Sequence, residues 1–513
     1  MKTLKIIFFN AFLLVAMALS FNSCNPEDGI DGLNGKDGVD GVDGTDGVDG
    51  IDGANGMDAS VYLINSKSPS LLKVTSDFVN LKISLLLSSE DIIPNSPDFV
   101  YGSLADGAGL MSNGDDTFTL INNIEGDYSI ARIMLNKNLR PFYGEYILNA
   151  EATASTAMCS GTLITNDEHG FGPLYLSGGE WGGASKGVFV VDPTKSADQA
   201  SIGEMLPALG QWSTENAVPI GKDAYADKTV VFIGDDHSSN SVPSGQLGMY
   251  VGARGDLSGG KLYGLKVTTS GVDFEMDMQE GMEYDAEFVE LEEKEIDALD
   301  AEAKSKGVMG FSRLEDIDWR RGSAANQREI YFCVTGRRSA DLVGKGTVLG
   351  RIYKVVLNEN DPTGAAKITC VLDGDIVGGK ADGFHSPDNI LVTENYAYIQ
   401  EDPNGYLDTA VNGYAKLYQY NLITGELKTV LECDQNRAES LGYGPTTDTW
   451  EITGMIDVTD IVNNGENTFL IMTQNHGWEP ADGTSFTDPK AISDISSATK
   501  EGSMMYLIKG LDR

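Results

Sequence analysis

Glu329-Ile-Tyr-Phe-Cys-Val-Thr335, followed after a polar, glycine-containing stretch by Gly350-Arg-Ile-Tyr-Lys-Val-Val356, decides the fold class. Both runs are rich in β-branched and aromatic residues, which fit a pleated, half-buried surface, and both are bounded by turn residues. The same texture recurs along the chain. It returns in Gly187-Val-Phe-Val-Val-Asp192, Lys228-Thr-Val-Val-Phe-Ile-Gly234, Tyr396-Ala-Tyr-Ile-Gln400, Leu417-Tyr-Gln-Tyr420 and Thr468-Phe-Leu-Ile-Met-Thr473. Short strands separated by Gly, Asn, Asp and Pro predict an all-β protein beyond Ala59. Strand pairs of this type resemble propeller blades, yet no strict repeat is visible, so periodicity leaves other large β folds open. One segment departs from the pattern. From Glu287 to Lys306, Phe288, Leu291, Ile296, Leu299 and Ala303 fall near helical spacing, which predicts a surface helix inserted between blades and ended by Gly307.

The N-terminus reads as an export signal. Lys2 and Lys5 precede an uncharged apolar run from Ile6 to Leu19, which is short for a membrane span, and Ser23-Cys24 follows. This layout is similar to a bacterial lipoprotein signal over residues 1–23, with Cys24 as the lipid-attachment residue and an outer-membrane or cell-surface location. Ordinary signal cleavage is the alternative. Residues 24–58 then form an anchor and spacer in which glycine falls at every third position from Gly29 to Gly56. That is the period of collagen, but no proline stiffens it, so an extended acidic spacer is expected and a trimer is the sharper alternative. Residues 59–513 form the β body.

With 77 acidic residues against 37 basic ones, the net charge of −40 argues against nucleic acid and points instead to cations held among carboxylates. Cys159, Cys333, Cys370 and Cys433 show no metal-site or disulfide spacing. Four histidines, His169, His237, His385 and His476, are too few for a site built on several imidazoles.

Polar clusters sit at the strand ends: Asn123-Ile-Glu125, Met158-Cys159-Ser-Gly161, Gly179-Glu180-Trp181, Gly210-Gln-Trp-Ser-Thr-Glu215, Gly234-Asp235-Asp236, Arg313-Leu-Glu315, Pro387-Asp388-Asn389, Gln400-Glu401-Asp402, Glu451-Ile-Thr-Gly454 and Gln474-Asn-His476. Singly, each reads as a turn or a solvated edge. A propeller would bring them to one channel, where oxygen ligands suit calcium and ferric iron and a thiol would be held as thiolate.

In this order the clusters resemble the PhoX-type alkaline phosphatases, from about Leu120 to about Trp478. The family's N-C-A-G-G is similar to the stretch around Cys159, its G-R-F-x-H-E to the one ending at Glu215, and its R-P-E to Arg313-Leu-Glu315. G-D-D and P-D-N are intact. Thr214 stands where the family has histidine, Leu314 where it has proline, and one glutamate beside Glu180 is missing. The resemblance implies a six-bladed β-propeller using calcium and iron to hydrolyse phosphomonoesters. It implies Cys159, Glu215 and Arg313 as catalytic residues, and Cys159, Glu215, Asn123, Glu125, Glu180, Glu315, Asp388 and Asn389 as metal ligands. Iron falls to Cys159 and Glu215, calcium to Glu125, Glu180 and Glu315. A non-catalytic calcium-stabilised binding or adhesion propeller, and a calcium-dependent esterase or lactonase, are the competing readings.

Overall fold

The structure, a computed structural model, describes residues 58–513 apart from 184 and 404–412. The signal, Cys24 and the glycine-repeat spacer therefore lie outside the described residues. What is described is almost entirely β. After β1 (Leu72–Val74) and β2 (Lys82–Ser88), a four-stranded sheet runs β3 (Ala105–Ser112), β4 (Phe118–Ile124), β5 (Ser129–Leu135) and β6 (Pro141–Leu148). A three-stranded sheet follows, of β7 (Thr156–Ile164), β8 (Leu174–Gly182) and β9 (Gly187–Val191), with the short helix α1 (Asn166–His169) between its first two strands.

The next nine strands form one sheet. They are β10 (Thr214–Pro219), β11 (Lys228–Asp235), β12 (Leu247–Ala253), β13 (Lys261–Val267) and β14 (Glu283–Leu291), then β15 (Leu314–Trp319), β16 (Glu329–Val334), β17 (Arg351–Val356) and β18 (Ala366–Asp373). Pairing of β14 with β18 joins the two runs edge to edge. A five-stranded sheet holds β19 (Pro387–Val392), β20 (Tyr396–Glu401), β21 (Lys416–Asn421) and β22 (Leu427–Cys433), completed by β1. The last holds β23 (Glu451–Asp457), β24 (Thr468–Asn475) and β25 (Gly502–Lys509), completed by β2.

The sheets stand in a propeller-like arrangement. β3 neighbours β7, β7 neighbours β10, β10 neighbours β15, β15 neighbours β19, β19 neighbours β23, and β23 returns to β3. These innermost strands are enclosed on both sides, and β15 and β19 are buried at every residue, so hydrophobic alternation disappears from their sequences. Apolar clusters fill the space between sheets; in one, Phe311, Phe332 and Tyr353 pack with ring centroids 5.1–5.3 Å apart.

The predicted helix over Glu287–Lys306 is corrected in its first half. Glu287 to Leu291 belong to β14, because pairing with β13 sets Lys266 opposite Glu287, and Lys261 reaches Glu290 at 2.9 Å. Cross-strand pairing of opposite charges outweighs the helical spacing of the apolar residues. The helix, α2, spans Ile296–Lys306, buries Leu299 and Ala303, and ends at Gly307 with φ of 78°. Two further short helices, α3 (Gln435–Leu441) and α4 (Thr459–Val462), lie between later strands. Among the described residues no helix is long and apolar enough to cross a membrane.

Candidate metal centre

The innermost strands begin alike. Asp106, Glu215, Glu315 and Asp388 are each the second residue of β3, β10, β15 and β19, Glu451 is the first of β23, and Cys159 lies within β7. At each of these four carboxylates the pairing register slips, between Ala105 and Ala108, Thr214 and Ala217, Leu314 and Ile317, and Pro387 and Asn389. A bulge inserts an extra residue and re-aims the side chains beside it. Close approach of the strands is made possible by glycine: a Cβ on Gly107 would stand 2.2 Å from the amide nitrogen of Gly161, and one on Gly178 would stand 2.0 Å from the Glu215 carbonyl.

The result is a cavity of about 140 Å³ whose wall carries eight carboxylates, one thiol, one guanidinium and Trp181. Asp106, Glu125 and Cys159 bring one ligand atom each within 4.8 Å of one another, and so do Cys159, Glu180 and Glu215. Cys159, which is 2% exposed, therefore sits at the junction of two three-residue groups. Glu125 accepts the Trp181 indole N–H at 2.7 Å and the Gln474 amide at 2.8 Å. Glu180 accepts the Cys159 thiol at 3.1 Å, and Glu215 accepts the Ser160 amide at 3.2 Å. Asp388 accepts the Thr335 hydroxyl at 3.4 Å, and the Thr453 hydroxyl donates to Asp106.

Arg313 is the only cationic side chain on the wall among the described residues. Its Nε and Nη2 donate to the two oxygens of Asp236 at 3.0 Å, a forked pair that orients the guanidinium. Nη2 also stands 2.7 Å from Glu315 Oε1 in an ion pair, while Nη1 makes no hydrogen bond within the described protein. The Arg313 backbone has φ of 68°, the left-handed region, a strained conformation for a side-chain-bearing residue that surrounding structure must enforce.

Burial dominates the electrostatics. It raises the carboxyls of Glu180, Glu215, Glu315, Asp388, Asp106 and Glu451 well above their ordinary values, with neighbouring carboxylates adding to the effect at each. Glu125 and Asp402 are raised as well, Glu125 against its hydrogen bonds from Trp181 and Gln474. The Cys159 thiol is pushed up by burial and then by Glu125, Glu180 and Glu215. Burial works against charge on Arg313, yet Asp236 and Glu315 hold it firmly protonated. Eight carboxyls and a thiol facing one another across so small a space require either bound protons or bound cations. The donor set, hard oxygens with a single sulfur, fits oxygen-preferring cations together with one metal that accepts thiolate.

Of the residues expected from sequence, Cys159, Glu215, Arg313, Glu125, Glu180, Glu315 and Asp388 are brought together on this wall. Asn123 and Asn389 are not. The Asn123 amide donates to the Cys159 carbonyl and, at 2.9 Å, to Ser177. Asn389 donates to Ser160 at 3.0 Å and accepts from the Gly454 amide at 3.1 Å. Asn123 thus ties β4 to β7 and β8, and Asn389 joins β19 to β7 and to its neighbour β23. Asn216 and Asp316 do the same: the Asn216 amide donates to Asp316, which accepts the Ile390 amide at 3.1 Å. So at Glu215-Asn216, Glu315-Asp316 and Asp388-Asn389 one residue faces the cavity and the next clamps the adjacent strand. Asp106, Asp402 and Glu451 are wall residues that sequence reasoning did not select as ligands. Asp402 and Glu451 lay in quoted clusters, whereas Asp106, inside Ala-Asp-Gly-Ala-Gly, reads as a turn residue and gave no such signal.

Comparison with known proteins agrees. The model of the alkaline phosphatase PhoX family matches residues 186–477, more than half of the chain. The chain belongs to the PhoX family. PhoX of Pseudomonas fluorescens in complex with vanadate, a transition state analogue, shares the fold at a TM-score of 0.59 and 13% identity, over 88% of this chain and 98% of that one. The AfRom2 CNH domain (TM-score 0.33, 10% identity, 84% and 100% covered) and a glycosyl hydrolase from Bacteroides ovatus (0.34, 9%, 70% and 96%) are distant likenesses only. No curated protein sequence matches. PhoX membership places the chain among phosphatases, and the wall around Cys159 is the feature of this PhoX protein suited to metal-assisted chemistry.

Proposed function

We propose that this PhoX protein hydrolyses phosphomonoesters in the cavity around Cys159, as an exported enzyme tethered through lipid on Cys24. The observation that carries the reading is the pairing of one orienting arginine with an otherwise anionic wall. An ester dianion enters such a wall only where cations reverse the local field. Cys159 and Glu215 would hold iron, and Glu125, Glu180 and Glu315 would hold calcium, with Asp106 and Asp388 completing the oxygen set. When bound, such cations would offset the charge of the ester and act as Lewis acids on its phosphoryl oxygens.

The chain's own residues then bind and orient. Arg313, fixed by Asp236, offers its free Nη1 to a phosphate oxygen, and the forked pair prevents the guanidinium from turning away. Trp181 and Gln474 each donate to one Glu125 oxygen and hold that carboxylate in place. His476 is held by Glu501 at 2.9 Å; burial opposes its charge, but Glu501, Asp402 and Glu125 raise its proton affinity. When protonated, it would add a second positive charge near Asp402 and Glu125.

The closed order of innermost strands supports a count of six blades, with the nine-stranded sheet as two blades joined through β14 and β18. The extended glycine-repeat spacer would carry the propeller away from the membrane, and trimerisation through it is the stronger form of that proposal. The test is metal analysis of the purified protein beside a phosphomonoester assay, with Cys159→Ala and Arg313→Ala. We expect calcium and iron in the wild type, loss of iron in Cys159→Ala, and at least about a 100-fold fall in kcat for both variants. Wild-type protein with no iron and variants of unchanged activity would end the phosphatase reading.

A further inference from the structure

Arg313 owes its left-handed backbone to something, and the residues behind it show what. Glu275 lies in the connection between β13 and β14 and is fully buried at 0% exposure, yet it is on no wall of the cavity. One of its carboxylate oxygens accepts two backbone amides, Ser312 and Thr347, each at 3.0 Å. Ser312 immediately precedes Arg313. The same segment is fastened from its other side, since Gly336 donates to the Ser312 carbonyl at 2.9 Å and Thr335 to the Arg313 carbonyl at 3.0 Å.

Glu275 is itself fixed. The buried Arg351 guanidinium donates to its main-chain carbonyl at 2.6 Å and to that of Met278 at 3.1 Å, and is paired with Asp373 at 2.5 Å. Nor is there room for the segment to drift, because a Cβ on Gly346 would stand 2.0 Å from Ser312 Oγ and 3.2 Å from the Glu275 oxygen. A buried carboxylate is costly, and burying one merely to bridge two loop amides would be poor construction unless the bridge fixes something.

We infer that Glu275 is a positioning residue for Arg313, holding the Ser312 amide so that the strained Arg313 backbone aims its guanidinium into the cavity. The inference rests on the reading of Arg313 as the phosphate-gripping residue. Glu275 touches no reacting atom. Its effect is transmitted through two backbone hydrogen bonds, so it is measured as a loss of Arg313's contribution and of nothing else.

The test uses the cation-loaded full chain, p-nitrophenyl phosphate as substrate and inorganic phosphate as competitive inhibitor. Glu275→Asp retracts the carboxylate by one methylene. It is expected to lower kcat/KM by about 10- to 100-fold and to weaken phosphate inhibition to a similar degree. In an Arg313→Ala background it should cost less than about twofold, since residues acting through one another are not additive. Glu275→Gln, whose carbonyl oxygen can still accept both amides, should stay within about threefold of wild type.

Should Glu275→Asp fail to fold, Gly346→Ala serves in its place, because the added methyl wedges against Ser312 and is expected to give the same background-dependent loss. Equal losses in both backgrounds would mean that Glu275 only stabilises the fold, and would overturn the inference. So would a wild-type kcat/KM in Glu275→Asp. If Arg313→Ala alone leaves activity and phosphate inhibition unchanged, the reading of Arg313 falls first, and the single variant reveals it before any double variant is measured.

Discussion

Stripping cations from the cavity should make stability fall more steeply as pH rises. In the metal-free protein, the wall carboxyls are raised by burial and mutual repulsion. Above the ordinary carboxyl range, the folded state then holds protons that the unfolded chain has released. Stability must therefore fall as pH rises through the raised values, by about 1.4 kcal/mol per pH unit for each such group. A β body of about 450 residues has an unfolding entropy on the order of 1 kcal/mol/K, so two to four groups correspond to a Tm that drops about 3–6 °C per pH unit. Cation binding requires deprotonated ligands and so strengthens with pH. A cation present at 100 times its Kd adds about 2.7 kcal/mol, which is about 3 °C per site.

The gap between cation-loaded and chelated protein should therefore widen from pH 5 to pH 8. Buried carboxyls elsewhere do not confuse the comparison. Asp127, raised to about 8, and Glu275, Asp316 and Glu401, each raised to about 7, pull both forms downward as pH rises. The difference between the two melting curves cancels that shared part. Thermal melts by circular dichroism at four pH values, with chelator and then with calcium restored, make the measurement. A gap that narrows with pH, or identical melts throughout, would refute the reasoning.

Other expectations are simpler to test. Asp106→Asn removes one anionic ligand from the group with Glu125 and Cys159, and should lower bound metal per chain and cut activity at least about tenfold, read by elemental analysis beside the assay. Gly178→Ala places a methyl against the carbonyls of Thr214 and Glu215, so it should cost about 1–3 kcal/mol in chemical denaturation and weaken metal retention by shifting Glu215. Arg313→Lys keeps a positive charge but loses the fork on Asp236; steady-state kinetics should show kcat/KM down about 100-fold, with lysine recovering little over alanine.

Much of the wall was legible in the sequence because its residues fall in short clusters at strand starts, where a few letters keep their spacing. Cys159, Glu215, Arg313 and Glu315 could be picked out in this way. Asp106 could not, since an aspartate among small residues looks like a turn; its meaning comes from β7 and β23 packing against β3, and β23 lies more than three hundred residues further along the chain. The asparagines stand off the wall for a related reason. A bulge sends neighbouring residues to different tasks, so Asp388 faces the cavity while Asn389 clamps β23, and no one-dimensional pattern separates them. The strand that begins at Glu283 was hidden because its apolar spacing near Phe288 and Leu291 mimics a helix, whereas its partner β13 supplies the deciding lysines. The buried support of Arg313 by Glu275 had no sequence signal at all, since thirty-seven residues separate Glu275 from Ser312.

The sheet that closes the ring draws β2, from residues 82–88, against β25, from residues 502–509. Nearly the whole chain must be available before that seam can form. Until then, Asp106 near one end and Glu451 near the other have no common space to face, and a growing or threading chain offers scattered carboxylates instead of a chelating chamber. A cation shared by these carboxylates would therefore find its full set of ligands only once the last strand has arrived.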